Sequence, residues 1–444
     1  MLQPEVKRFA ISVLFVVVFL TGAGLRMTNL NMVEVKQFPD TQGYIRKASW
    51  PLWSWQSRFG PLADIRTWWL KGRSPTVPFF YKLAGNEPRS IAVFQSVFSI
   101  LSWGLLALMV SQSVQSYRLK SVAFLIILMF SLTGPITIWD GFLLSDSISI
   151  SLMALFIAGW LWLVQSWHWG KALVVVSISI LWAFSRDSNA WVILMAASSL
   201  IVVASLGRSF RYLFIAAVFV TVFAANEISQ NYSQRWVMPF LSVVGRRILP
   251  DAERTAYFAH RGMPVSPALM QLSGQLAWGK NRAFYNDPAL EEFRAWAFST
   301  GKSNYTQFLL AHPGVTLLEP LRNIRPLIVP NLSYYRSGDF SAVDLGVRSE
   351  FIYFEEWALP WVLASGIIIG FAFVLVPQTP SSQWLVPLLM VLFAYPHAAI
   401  VWHGDPNDIG RHGLQAGIQF RLGLWMLVLF AVDRLFVRKI SIKG

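Results

Sequence analysis

Ten apolar runs of membrane-spanning length are spread along the chain: Phe9–Leu25, Ile91–Val110, Ser121–Trp139, Leu143–Gln165, Lys171–Ser185, Ala190–Leu206, Tyr212–Asn226, Glu356–Val376, Trp384–Trp402 and Leu414–Asp433. A hydrocarbon core takes about 20 apolar residues of helix to cross, and lipid offers no partner to an open backbone N–H or C=O. Such runs restrict the chain to helices packed side by side. Lys171–Ser185 and Tyr212–Asn226 are the shortest for that task. Composition agrees, with 14% charged residues against about 25% in an average soluble domain. The expected fold class is an all-α membrane protein, a polytopic bundle of about ten transmembrane helices. Met1–Leu25 has the outline of a signal peptide, but its apolar run is long and has no small-x-small site, so it reads as an uncleaved first helix.

The 444 residues carry a net charge of +14 and no cysteine. No stretch has the form of a base-reading module, so nucleic acid is not an expected partner. The basic residues instead flank apolar runs, where they face anionic headgroups. Without cysteine there is no disulfide framework, thiolate metal site or cysteine nucleophile.

Lys7, Arg8, Arg118, Lys120, Lys171, Arg208, Arg211, Arg434, Arg438, Lys439 and Lys443 fall on one side if the runs alternate and the N-terminus is cytoplasmic. The C-terminus then lies on that side too. The other side receives "FPDTQGYI", "WDGFLLSDS", "SRDSN" and "HGDPNDIGRH", so the acids of the short loops share one face. It also receives two long segments. These divide the chain into an N-terminal membrane module over 1–226 with its first outer loop at 26–90, an extracytoplasmic segment over 227–355, and C-terminal membrane helices over 356–444. In the first loop, "WPLWSWQSRFG" and "IRTWWLKG" read as short interfacial helices. In the second, "PALEEFRAWAFSTG" has helical spacing after an Asp–Pro start, so a small, mostly helical domain is expected.

Asp40 in "FPDTQGYI" has two readings. Pro–Asp–Thr is good turn chemistry. Alternatively, a partly buried carboxylate at an interface is a general base for a sugar hydroxyl. Tyr44 would share its face if the segment coils. Asp146 reads as a helix N-cap, whereas Asp140, beside Trp139 at the end of an apolar run, needs a partner or water. In "SRDSN", with Arg186 and Asp187, the plain reading is a local ion pair or a cap, the alternative Arg186 as a phosphate contact. His403, Asp405, Asp408 and His412 match no standard zinc spacing, and His412 can cap a helix. Arg411 at the mouth of a bundle can hold a phosphate bidentately. Arg322 and Arg325, three apart, would share a helical face and present two cations to headgroups or to a lipid-linked phosphate. "GRSPTVPFFYKL" adds Arg73 and Lys82.

The order of these segments resembles the GT-C integral membrane glycosyltransferases, over most of the chain. "FPDTQGYI" is similar to the first-loop acidic motif, and "GRSPTVPFFYKL" to the Arg-x-Pro-x-x-Pro stretch after it. "LLSDSISIS" is similar to the second acidic motif, "FLLAHPG" and "RNIRPLIVP" to late outer-loop segments, and "HGDPNDIGRH" to a last loop ending in an Arg–His pair. The resemblance implies a GT-C-like fold. It implies an inverting transfer of sugar from a polyprenyl-phosphate donor to a glycan, lipid-linked glycan or exported protein such as a pilin. It implies Asp40 as catalytic base and Asp140 or Asp146 as an acceptor- or metal-side carboxylate. Arg322, Arg325, Arg411, Arg73, Tyr44 and His412 would serve the donor phosphate or lipid. No duplicated acidic pair of the oligosaccharyltransferase kind is present, so a divalent cation stays open and no cofactor is assigned. A bacterial inner membrane with a periplasmic site is the expected location. The rival reading is a transporter or flippase of lipid-linked glycans, and acids at helix ends rather than at the midplane count against it.

Overall fold

A computed structural model of the chain describes residues 4–32, 34–52, 61–207, 209–279, 282–329, 351–354, 358–376 and 381–441. Trp53 and Trp55 of the first long loop, and residues 330–350 at the end of the second, lie outside them. The regular elements in these residues are helices, with an isolated bridge between Lys36 and Phe142. The chain groups into two compact units. One is Met1–Asn226 with Leu332–Ala394 and Ile418–Gly444; the other is Glu227–Asn331 with Tyr395–Gly417.

All ten apolar runs fall on helices, mostly of the first unit. They are α1 (Pro4–Met32), α5 (Pro88–Ser113), α6 (Tyr117–Ser131), α8 (Asp146–Gln165), α9 (Trp169–Ala183), α10 (Asp187–Gly207), α11 (Phe210–Tyr232), α20 (Ala358–Leu375), α21 (Leu385–Gly404) and α22 (Ile409–Ser441), of which α11, α21 and α22 run into the second unit. Among the described residues, seven helices are long and apolar enough to cross a membrane, or up to eight if one bent pair counts as a span. That pair is α6 and the segment Gly134–Gly141, made of α7 (Gly134–Thr137) and a 3-10 turn, bent by 58°. The break falls at Leu132–Thr133, and Pro135 opens the new helix, where proline is tolerated although it could not continue the old one. The α9 helix is 15 residues long, shorter than a full crossing.

Between α1 and α5 the first long loop is helical too: α2 (Pro39–Ala48), α3 (Pro61–Leu70) and α4 (Thr76–Leu83). The helix expected at "IRTWWLKG" is present as the body of α3. Helix α1 runs to Met32, so Arg26 is not the start of a loop. It lies inside a helix and is 2% exposed.

The two ends of this unit differ. At one end Asp433 of α22 accepts the N–H groups of Gln115 and Ser116, both at 2.8 Å, which ties the α5–α6 turn to the last helix. Gln165 donates to Ser113 Oγ at 3.2 Å, and Lys171 to Ser166 Oγ at 2.5 Å. The opposite end holds the acidic motifs.

The second unit contains α12 (Val237–Val243) and a π-helical turn (Val244–Ile248). It continues through α13 (Ala252–Ala259), α14 (Pro267–Met270), α15 (Ala283–Asn286), α16 (Glu291–Trp296), α17 (Lys302–Ala311), α18 (Pro313–Arg322) and α19 (Ile324–Ile328). The Asp–Pro start works as expected: the Asp287 side chain accepts from Ala289 N at 2.9 Å. Aromatic side chains fill the core, among them Phe240, Phe258, Phe284, Phe293, Trp296 and Phe308. A second cluster joins Leu327 to Ala398, Val401, Trp402 and Ala416.

Candidate functional site

Four of the polar motifs meet at one end of the first unit. Lys36 N donates to Gly141 O at 2.9 Å, and Leu143 N donates to Lys36 O at 3.1 Å. These bonds staple the start of "FPDTQGYI" to "WDGFLLSDS". Thr41 then ties the helix to the same strip. Its hydroxyl donates to Leu143 O at 2.6 Å and accepts from Phe38 N at 2.9 Å, half of a capping box. The Tyr81 hydroxyl reaches Leu144 O, while Ser74 and Thr76 N both bond Phe184 O beside "SRDSN".

Asp40 stands in the first turn of α2, where a carboxylate is favoured by the helix dipole. It is not a turn residue. Its Oδ1 lies 2.5 Å from Arg73 Nη2, and the pair is half-buried, with the Asp40 and Arg73 side chains 29% and 35% exposed. The Arg73 guanidinium also lies over the Tyr44 ring, 5.4 Å from its centroid. Tyr44 is buried, so Asp40 and Tyr44 do share a neighbour as the spacing predicts. Gly43 leaves room for this arrangement: a Cβ there would come 3.0 Å from Arg73 Nε. The loop carrying Arg73 is fixed from beneath by Lys47. This fully buried lysine donates to Lys71 O at 2.8 Å and to Arg73 O. Lys82 does similar work, bonding Ala48 O and Trp50 O, both at 3.0 Å.

Asp140 and Asp146 sit differently. Asp140 is buried and receives Arg26 on both oxygens, at 2.5 and 3.0 Å, with Ser147 Oγ donating at 2.9 Å. Arg26 in turn bonds Ser99 Oγ, and Gln95 donates to the carbonyls of Asp140 and Phe142. Asp146 is the first residue of α8, and its buried carboxylate takes Arg186 at 2.9 Å. Arg186 thus reaches across 40 residues to pair with Asp146. Buried pairs of this kind hold because each charge keeps its partner.

In the second unit, Arg322 and Arg325 do not share one helical face. Helix α18 ends at Arg322, Asn323 breaks the path at φ −110°, ψ 28°, and Arg325 belongs to α19. Both remain exposed. Arg411 is 7% exposed in the first turn of α22, not open at a bundle mouth. His412 Nε2 lies 3.8 Å from Asp405 Oδ2. Burial pushes the Asp405 carboxyl up to about 6, against the N–H of Asn407, which pulls it down. Among the described residues no three His, Asp or Glu side chains are grouped to hold a metal ion.

The residues that motif reading passed over are the partners: Arg26, Lys47, Gln95, Ser99 and Ser147. Arg26 had a signal of its own, since an ionisable residue at the end of an apolar run demands a counter-charge.

The chain is a multi-pass helical membrane protein. No protein-family model matches it, and no curated protein matches it either.

Proposed function

We propose that the protein is an inverting glycosyltransferase of the GT-C type. On this reading it has about ten spans, both termini in the cytoplasm, and its site on the periplasmic face of a bacterial inner membrane. It moves a sugar from a polyprenyl-phosphate donor to a hydroxyl of a glycan, lipid-linked glycan or exported protein. One observation carries the reading: Asp40 and Arg73 form a partly exposed pair at the end of the bundle where the polar segments converge. Asp140 and Asp146 of that end are buried in ion pairs of their own.

Displacement at an anomeric carbon needs an acceptor for the incoming hydroxyl proton and a cation for the departing phosphate. Asp40 and Arg73 supply both within one contact. Donor phosphate binding Arg73 bidentately competes with the carboxylate for the guanidinium. Asp40 is thereby released toward the acceptor hydroxyl only when donor is present. The acceptor oxygen then bonds C1, the C1–O bond to phosphate breaks, the proton passes to Asp40, and polyprenyl phosphate leaves. Tyr44 keeps the arginine flat, and Lys47 holds its loop.

The test is transfer of radiolabelled sugar from a panel of polyprenyl-phosphate sugars, in membranes carrying wild type or Asp40→Asn. General-base removal lowers the rate about 10²–10⁴-fold. Equal transfer by both would remove Asp40 from the mechanism. Sugar crossing the bilayer in proteoliposomes without transfer would replace this reading with the flippase.

A further inference from the structure

Helix α18 has two faces. Inward, Val315 packs on the aromatic core, Pro320 is buried, and Glu319 takes Arg254 at 2.8 Å. Outward, Leu317, Leu318 and Leu321 are 54%, 47% and 52% exposed, and Leu310 at the end of α17 is 78% exposed. The spacing of 317, 318 and 321 puts these leucines on one side of a helix. A contiguous apolar strip of this kind marks a surface that something covers.

The neighbour of α18 says what. The Tyr395 hydroxyl donates to Leu317 O, and His403 Nε2 lies 3.1 Å from Thr316 O. Leu327 of α19 is buried against Ala398, Val401 and Trp402. A Cβ on Gly413 would meet Leu327 O at 2.3 Å, so α19 also lies directly on the start of α22. Tyr395 to His403 belong to a helix apolar and long enough to cross a membrane. Eight residues of helix rise about 12 Å. Helices α18 and α19 therefore run beside the terminal stretch of a span, at the depth where a bilayer grades from acyl chains to headgroups. Arg322 and Arg325, exposed and without an ion-pair partner among the described residues, follow the leucine strip directly. Leucines beside exposed arginines are the composition of a helix lying in an interface.

We propose that α18 and α19 form a bilayer-docking surface. The leucines enter the acyl boundary beside α21, and Arg322 and Arg325 hold phosphates of anionic lipids. This goes beyond the transfer reaction and does not depend on it.

The chain has no cysteine, so a single introduced one reports one place. Leu318→Cys carries an environment-sensitive nitrobenzoxadiazole label in nanodiscs of phosphatidylcholine, with or without phosphatidylglycerol. Glu292→Cys, on the exposed surface of α16, is the reference. The expected result is several-fold stronger quenching of the Leu318 label by acyl-chain spin labels, with aqueous iodide showing the reverse order. Adding Arg322→Glu and Arg325→Glu reduces lipid quenching more in the anionic discs than in the neutral ones. Equal access of iodide to both labels overturns the proposal. So does disulfide cross-linking of Leu321→Cys between two copies, which would make the strip a protein interface. Neither readout uses sugar transfer, so its failure and that of the glycosyltransferase reading are separate.

Discussion

Asp40 and Asp140 carry the same carboxylate into different surroundings, and substitution separates them. Arg26→Ala strands Asp140 in a buried site, with a cost of about 3–5 kcal/mol; the double variant Arg26→Gln with Asp140→Asn recovers part of it. Thermal melting in detergent checks both. Arg73→Ala breaks a partly exposed pair and costs only about 0–1 kcal/mol, while transfer activity falls. Gly43→Ala gives the sharpest contrast. Alanine is favoured over glycine inside a helix by about 0.5–1 kcal/mol, yet its Cβ presses on Arg73 Nε. The expected variant melts at or above wild type and transfers more slowly, a split that loss of folding does not produce. The pairings Arg26–Asp140 and Arg186–Asp146 span 114 and 40 residues and leave no local pattern, so motif reading names the acids and misses the arginines that neutralise them. The Asp40–Tyr44 spacing is different, because a helical period of four is written in the chain itself.

At the scale of elements, hydropathy is an additive signal over some 20 residues, so every apolar run coincides with a helix. Their ends are less legible. Helix α1 outlasts its apolar run, with Arg26 paired to Asp140, and the run Ser121–Trp139 breaks at Leu132–Thr133, just before Pro135. The break at Asn323 carries no proline or glycine of its own, so the reading of Arg322 and Arg325 as one helical face fails there. Asp433 offers a test of how two elements are joined. Asp433→Ala leaves the N–H groups of Gln115 and Ser116 without their acceptor. Hydrogen bonds to charged groups contribute about 1.5–3 kcal/mol each, so a lower melting temperature is expected, with Asp433→Asn between the two.

For the whole molecule, alternation has a measurable consequence. Gln42 and Arg118 belong to opposite ends of the first unit, and both are exposed. In this cysteine-free background, Gln42→Cys and Arg118→Cys are expected to react with an impermeant maleimide from opposite sides of sealed vesicles. Same-side labelling would contradict the alternation. The second unit should also respond to pH through Asp405. Its carboxyl is raised from 3.8 to about 6 by burial, with Asn407 and Arg247 favouring the charged form and Asp408 opposing it. A raised carboxyl stabilises the fold fully below the unfolded value of about 4 and loses that contribution as pH climbs through about 6. Melting at pH 5 should therefore exceed melting at pH 7 by more in wild type than in Asp405→Asn.

The Arg26–Asp140 pair also sets an order of events during synthesis. Arg26 leaves the ribosome 114 residues before its partner. At 5–20 residues per second that interval lasts roughly 6–23 s. For that time the first helix carries an unneutralised guanidinium, which must stay near the headgroups, where a long side chain can reach them. Only when the turn after α6 emerges does a counter-charge arrive and let α1 draw inward. The nascent chain is thus expected to keep its first segment at the edge of the bilayer until the third has arrived.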